Sequence, residues 1–220
     1  MEAILADSLR KRFDSVDVLD GASLAISEGA RLVVFGPTGT GKTTLLFIVA
    51  GLIRPDAGTV RLFGQSVSGN CRFMPPEERS IGMVFQRALL WPHMSALENV
   101  EFALCRSELS RRARLTVTLD AMALFGVDDL ATRRPETLSG GQIQRVALAR
   151  SIASSPRILL WDEPFTGLDA KTRVSVAAMT LEYLERTRTS LVAVSHHRED
   201  ADDLRADCVA LDGGKIAPLC

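Results

Sequence analysis

Arg31-Leu32-Val33-Val34-Phe35-Gly36-Pro37-Thr38-Gly39-Thr40-Gly41-Lys42-Thr43 is the stretch on which the fold turns. Its first five residues are a short apolar run, as in a strand buried on both faces. Gly36 to Thr43 fits G-x-x-x-x-G-K-[ST], a loop whose successive backbone N–H groups point at phosphate oxygens. Glycines let the backbone fold that tightly. A helix expected over Thr40–Leu52, with Thr44 in its first turn, adds its positive dipole end at the same place. Lys42 is the side chain set to reach β- and γ-phosphates, and the Thr43 hydroxyl is set to hold Mg²⁺.

On the N-terminal side, Ser23-Leu24-Ala25-Ile26 alternates polar and apolar residues like a half-buried strand. On the C-terminal side, Pro55, Asp56 and Gly58 turn the chain, and Thr59–Phe63 alternates again before Gly64. Ile81–Phe85 is a further buried-strand candidate. From about Ser95 to Phe125 the period becomes helical. Ser95 and Glu98 make a capping box, with Leu97, Val100 and Leu104 on one face. A second helix is expected to carry Leu115, Leu119 and Met122 on one stripe and to stop at Gly126. Beyond it come a helix over about Gly141–Ser154, a strand Arg157–Trp161, a helix over about Ala170–Thr187 and a strand Ser190–Val194. Strands and helices alternating this way imply an α/β fold, a mostly parallel sheet with helices on both faces. The helical stretch sits inside it as an insertion.

Composition sets bounds on function. The chain of 220 residues is 46% hydrophobic and 24% charged, which suits one globular domain rather than a disordered segment. Lys and Arg number 26 against 27 Asp and Glu, so no basic excess points to nucleic acid. The most apolar stretch, Leu45–Ile53, is too short to span a bilayer and is interrupted by Gly51. Residues 1–7 lack the pattern of a secretory leader. Cys71, Cys105, Cys208 and Cys220 are scattered without a CxxC, which suits reduced, structural or incidental thiols.

Two further motifs carry chemistry. Arg157-Ile158-Leu159-Leu160-Trp161-Asp162-Glu163-Pro164 ends an apolar strand in two carboxylates, costly unless something pairs with them. A metal ion would account for Asp162, and a water to be activated for Glu163. Read alone, the pattern also fits any apolar strand that ends in an acid. Leu138-Ser139-Gly140-Gly141-Gln142 heads a helix with exposed N–H donors and a hydroxyl. Alone, it reads equally well as an ordinary N-cap.

The order of these motifs along the chain resembles that of the ATP-binding cassette (ABC) family. Walker A at Gly36–Thr43, Gln86 closing a strand, Leu-Ser-Gly-Gly-Gln at 138–142, Walker B through Asp162-Glu163, Gly167-Leu168-Asp169 and Ser195-His196 follow one another as in that family. The likeness runs over essentially all 220 residues, and the Ser-Gly-Gly-Gln signature separates this family from other phosphate-loop enzymes.

The resemblance implies a phosphate-loop core with an N-terminal antiparallel β region and an inserted helical subdomain. Residues 1–220 would form one ABC ATPase domain, its core about 1–86 and 155–220 and its helical subdomain about 87–154. ATP and Mg²⁺ are the implied ligands. Phe13 matches an aromatic that stacks on adenine, where the family more often has Tyr. Gln86 matches a glutamine that contacts Mg²⁺ and water, joining Thr43 and Asp162 at the metal. His196 matches a histidine at the γ-phosphate, and Glu163 the general base. Ser139, Gly140, Gly141 and Gln142 would cover the γ-phosphate held by a second copy of the chain. Asp169 matches an acidic residue that crosses the dimer interface. Where the family commonly has Ser-Ala-Leu-Asp, this chain has Thr166-Gly167-Leu168-Asp169. His93 and His197 match no catalytic position and are read as incidental.

Met74–Gln86 and Trp91–Val100 look like the ATPases of prokaryotic solute importers. The implied partners are transmembrane permease subunits and an extracytoplasmic solute-binding protein, with no nucleic acid. The implied location is peripheral, on the cytoplasmic face of the inner membrane. Many relatives with this pattern carry a C-terminal regulatory domain, which a chain ending at Cys220 is expected to lack. The alternative is the same ATPase serving a scaffold or mechanotransmission complex.

Overall fold

The computed structural model describes residues 1–69 and 72–218. Eleven strands and six α-helices follow one another along them. The strands are β1 (Glu2–Phe13), β2 (Val16–Ser27), β3 (Arg31–Phe35), β4 (Ala57–Leu62), β5 (Gln65–Gly69), β6 (Arg72–Phe73), β7 (Ile81–Val84), β8 (Ile158–Asp162), β9 (Ser190–Ser195), β10 (Asp207–Asp212) and β11 (Lys215–Pro218). The helices are α1 (Lys42–Ala50), α2 (Ala96–Glu101), α3 (Arg111–Leu124), α4 (Gly140–Ala153), α5 (Ala170–Thr187) and α6 (Glu199–Asp203).

β2-β1-β4-β5-β6 make an antiparallel sheet from the N-terminal part of the chain. β11-β10-β3-β9-β8-β7 make a second sheet, parallel throughout except where β11 pairs with β10. The central strands of this sheet sort their side chains by the two-residue period of a strand. Val34, Ile158, Leu160, Val192 and Val194 face a core shared with α1 and the antiparallel sheet. Val33, Leu159, Trp161, Leu191 and Ala193 face the opposite core, shared with helices α2 to α5. Every residue of β8 is buried, and all but the terminal Asp162 are apolar, as a strand covered on both faces needs. This is the expected architecture: a mostly parallel sheet, an N-terminal antiparallel region and a helical insertion.

On α3 the stripe of Leu115, Leu119 and Met122 is present but only partly buried. Leu115 and Leu119 are 42% and 38% exposed, while Thr118, Ala121 and Met122 are buried. The helix packs on α2 and α4 along a face that includes small residues, which let helix axes approach, and Phe125 closes the end of that stripe. α2 is also shorter than the helical period suggested, ending at Glu101, with Leu104 buried from a 3₁₀ turn. Its capping box is present: Ser95 accepts the Glu98 amide and Glu98 accepts the Ser95 amide. α1 begins at Lys42 rather than Thr40, because Gly41 holds φ at 98°, outside helical space. Cys105 and Cys208 are free thiols, whereas Cys71 and Cys220 lie outside the described residues. Among the described residues no helix is long and apolar enough to cross a membrane.

Candidate functional site

The phosphate loop leaves the C-terminal end of β3, a central strand, and enters α1. Gly41 is held at φ 98° with its α-carbon against β2, where a β-carbon would meet the Val18 carbonyl oxygen at 2.7 Å. Pro37, Thr38 and Gly39 are exposed at the loop tip, and Thr40 Oγ1 donates to the Pro37 carbonyl at 2.9 Å. Lys42 is only 6% exposed. Its ammonium donates to the carbonyls of Gly36 at 2.7 Å and Pro37 at 2.9 Å, so it folds back over the loop. Burial pushes its pKa down, opposed by the nearby carboxylates of Glu163 and Asp162. Thr44 is half-buried on the first turn of α1.

β8 and β9 bring the other groups to the same end of the sheet. Thr43 Oγ1 lies 3.1 Å from Asp162 Oδ1 and 3.2 Å from Oδ2, donating its proton to the carboxylate. Asp162 is 4% exposed, and burial raises its pKa against the Thr43 hydrogen bond. Glu163 follows with φ 51°, an uncommon conformation for a non-glycine residue, tied down by its amide on the Val194 carbonyl at 2.9 Å. Its carboxylate Oε2 meets His196 Nδ1 at 2.6 Å and accepts from Thr166 Oγ1 at 3.3 Å. Oε1 has no hydrogen-bond partner among the described residues. Gln86 is exposed and follows two residues after the Val84–Trp161 pair, alongside the end of β8.

Hydroxyl and carboxylate oxygens suit a hard cation. Among the described residues no group of three or more His, Cys, Asp or Glu could cage a metal. Mg²⁺ fits such a site, because it keeps several waters and takes one or two carboxylates plus substrate phosphates. Thr43 and Asp162 would hold it, and a cation beside Asp162 would relieve the cost of its burial.

The remaining predicted residues lie elsewhere. Ser139 N-caps α4 in a reciprocal box with Gln142: the Ser139 amide donates to Gln142 Oε1 at 2.9 Å, and the Gln142 amide donates to Ser139 Oγ at 3.4 Å. Ser139 and Gly140 are exposed, leaving first-turn N–H groups free of intrahelical partners. Gly141 abuts α5, where an added β-carbon would meet Thr172 Cγ2 at 2.8 Å. Among the described residues no hydrogen bond joins 139–142 to the phosphate loop. Asp169 N-caps α5, accepting from the Thr172 amide at 3.0 Å and its hydroxyl at 2.6 Å. Phe13 is 44% exposed beside the β1–β2 turn, with Lys11 Nζ 5.4 Å from its ring centroid.

Three features escaped the sequence reading. Thr166 touches Glu163, the His197 ring centroid stands 3.9 Å from that of His196, and Asp200 binds Ser195 beneath them. Only proximity in sequence to known motifs could have flagged them, because the contacts are made across loops.

The sequence pattern of the ABC transporter family matches residues 19–166. The probable sulfate/thiosulfate import ATP-binding protein CysA of Chlorella vulgaris is 38% identical over 99% of this chain and 90% of its own length. The sulfate/thiosulfate import ATP-binding protein CysA of Bradyrhizobium diazoefficiens is 42% identical over 96% of this chain, which spans 62% of that relative. In structure, a dimeric post-hydrolysis state of the ATP-binding cassette MJ0796 bound to ADP and Pi superposes with a TM-score of 0.87, at 29% identity over 99% of both chains. With this breadth of likeness in sequence and fold, the chain is a member of the ABC transporter family.

Proposed function

We propose that this chain is the ATP-binding and ATP-hydrolysing subunit of a prokaryotic ABC importer, driving solute through a separate membrane subunit. The observation that carries the proposal is the convergence of two pairs, Thr43 with Asp162 and His196 with Glu163, on the end of the sheet where the phosphate loop opens. Catalysis here is positioning and charge stabilisation around a phosphoryl group. Lys42 and the backbone N–H groups between Thr38 and Thr44 bind the β- and γ-phosphates, which replace the carbonyls that the lysine now contacts. Phe13 offers its exposed face to the adenine. Mg²⁺, held by Thr43, Asp162 and Gln86, would neutralise charge on the phosphate oxygens. Glu163 orients the attacking water through its free Oε1 and accepts its proton. His196, anchored on Oε2, faces the γ-phosphate.

Ser139, Gly140, Gly141 and Gln142 complete the site of a second copy, since they stand apart from the phosphate loop of their own chain. Asp169 lies at the same interface. ATP then holds two identical faces together, and its hydrolysis lets them part. The domain spans 1–220, with a core of about 1–86 and 155–220 and a helical subdomain of about 87–154. Its partners are permease subunits and an extracytoplasmic solute-binding protein, and its place is the cytoplasmic face of the inner membrane, as a peripheral subunit. The names of the relatives are those of import proteins, which favours transport over a scaffold or mechanotransmission role.

The direct test is Glu163→Gln. It should retain ATP, stop phosphate release and accumulate an ATP-bound dimer on gel filtration. Hydrolysis at the parental rate would remove Glu163 as the base.

A further inference from the structure

Behind the His196–Glu163 pair lies a second layer of contacts. Ser195, fully buried, donates its hydroxyl to Asp200 Oδ2 at 2.5 Å and accepts the His197 amide at 2.9 Å. Asp200, on α6, is 1% exposed. Its other oxygen meets Arg173 Nη2 at 2.9 Å, and Arg173 Nε also binds Asp203. The guanidinium stands 5.1 Å from the Phe165 ring centroid. A carboxylate this buried needs a charge partner and hydrogen bonds. Asp200 has Arg173 as its charge partner and one hydrogen bond, from Ser195; Oδ1 makes the ion pair without a well-aligned hydrogen bond, and Oδ2 is directed into the segment that carries His196.

Arg173 and Asp200 therefore join three pieces: the turn after β8 through Phe165, the first turns of α5, and the β9–α6 loop. His196 lies on that loop, and its side chain is 36% exposed. A partly exposed imidazole on a free loop would sample several orientations. Fixing the residue before it and the amide after it removes much of that freedom, as support behind a reacting group does.

We infer that Asp200, clamped by Arg173, is a positioning residue: by fixing Ser195 and the His197 amide, it holds His196 against Glu163. Its consequence for hydrolysis rests on the function proposed above, while the positioning itself does not.

The test uses the intact chain and two readouts, NMR of its three histidines and single-turnover phosphate release from ATP. The His196 imidazole signal is assigned by its loss in His196→Ala. Asp200→Asn should move that signal in the direction that Glu163→Gln moves it. It should also slow phosphate release on the order of ten- to a hundredfold, with the KM for ATP unchanged. Arg173→Gln should do the same to a smaller extent, and Asp200→Glu should restore part of the rate. An unmoved His196 signal in Asp200→Asn, or, where the parental chain hydrolyses ATP, release by that variant at the parental rate, overturns the inference. Should Asp200→Asn not fold, as judged by circular dichroism, Arg173→Gln is held to both readouts with the same consequences. A parental chain releasing no more phosphate than Lys42→Ala, with the His196 signal still moved by Asp200→Asn, would sink the hydrolytic reading and leave the positioning role standing.

Discussion

Asp162 shows what the site demands of single residues. Its carboxylate is buried with one hydroxyl partner, and its folded pKa is raised mainly by desolvation. A carboxyl whose folded pKa exceeds its unfolded value stabilises the fold when protonated, and that contribution is lost as pH rises through the folded pKa. Above that pKa the charged Asp162 therefore works against folding in the absence of a cation. Asp162→Asn should raise the melting temperature of the nucleotide-free chain by roughly 2–4 °C, the shift about 1 kcal/mol makes in a domain of this size. The same variant should lose Mg²⁺-dependent hydrolysis, stability rising where function falls. A thermal melt and a phosphate-release assay check both halves, and a lower melting temperature would contradict the assigned cost.

At the scale of elements, α3 separates what periodicity predicts from what packing selects. Leu115, Leu119 and Met122 share a helical stripe, yet only Met122 is buried. Met122→Ala should cost about 2–5 kcal/mol in urea unfolding, as a core truncation does. Leu115→Ala should stay within about 0.5 kcal/mol of the parent, as surface changes usually do. Equal losses would mean that the stripe faces inward after all. α4 makes the complementary point. Its signature N-terminus was equally readable as a cap or as a ligand site, and the Ser139–Gln142 box shows that the two readings are compatible. The reciprocal bonds fill one donor at the cap and one in the first turn, and the exposed Gly140 and half-buried Gly141 leave other N–H groups without intrahelical partners.

Across the whole molecule, the two glycine-lined helix starts lie in separate places, one at the end of β3 and the other against α5. This separation is what a nucleotide shared between two copies requires. Ser139→Arg should leave ATP binding by the monomer intact, measured by fluorescent-nucleotide titration, while preventing the ATP-bound dimer of Glu163→Gln on gel filtration. Loss of both together would argue against the shared site. The phosphate loop, the apolar β8 and the signature cap were legible in the residues because each depends on local chemistry: backbone sterics, a two-residue period, a helix end with unmet donors. So was the order of motifs that marked the family. The exposed face of α3, the link from His196 through Ser195 and Asp200 to Arg173, and the contact of Gly141 with Thr172 were not. Each depends on which surfaces meet across loops and helices distant in sequence, and that is decided by packing, to which no single segment's pattern has access.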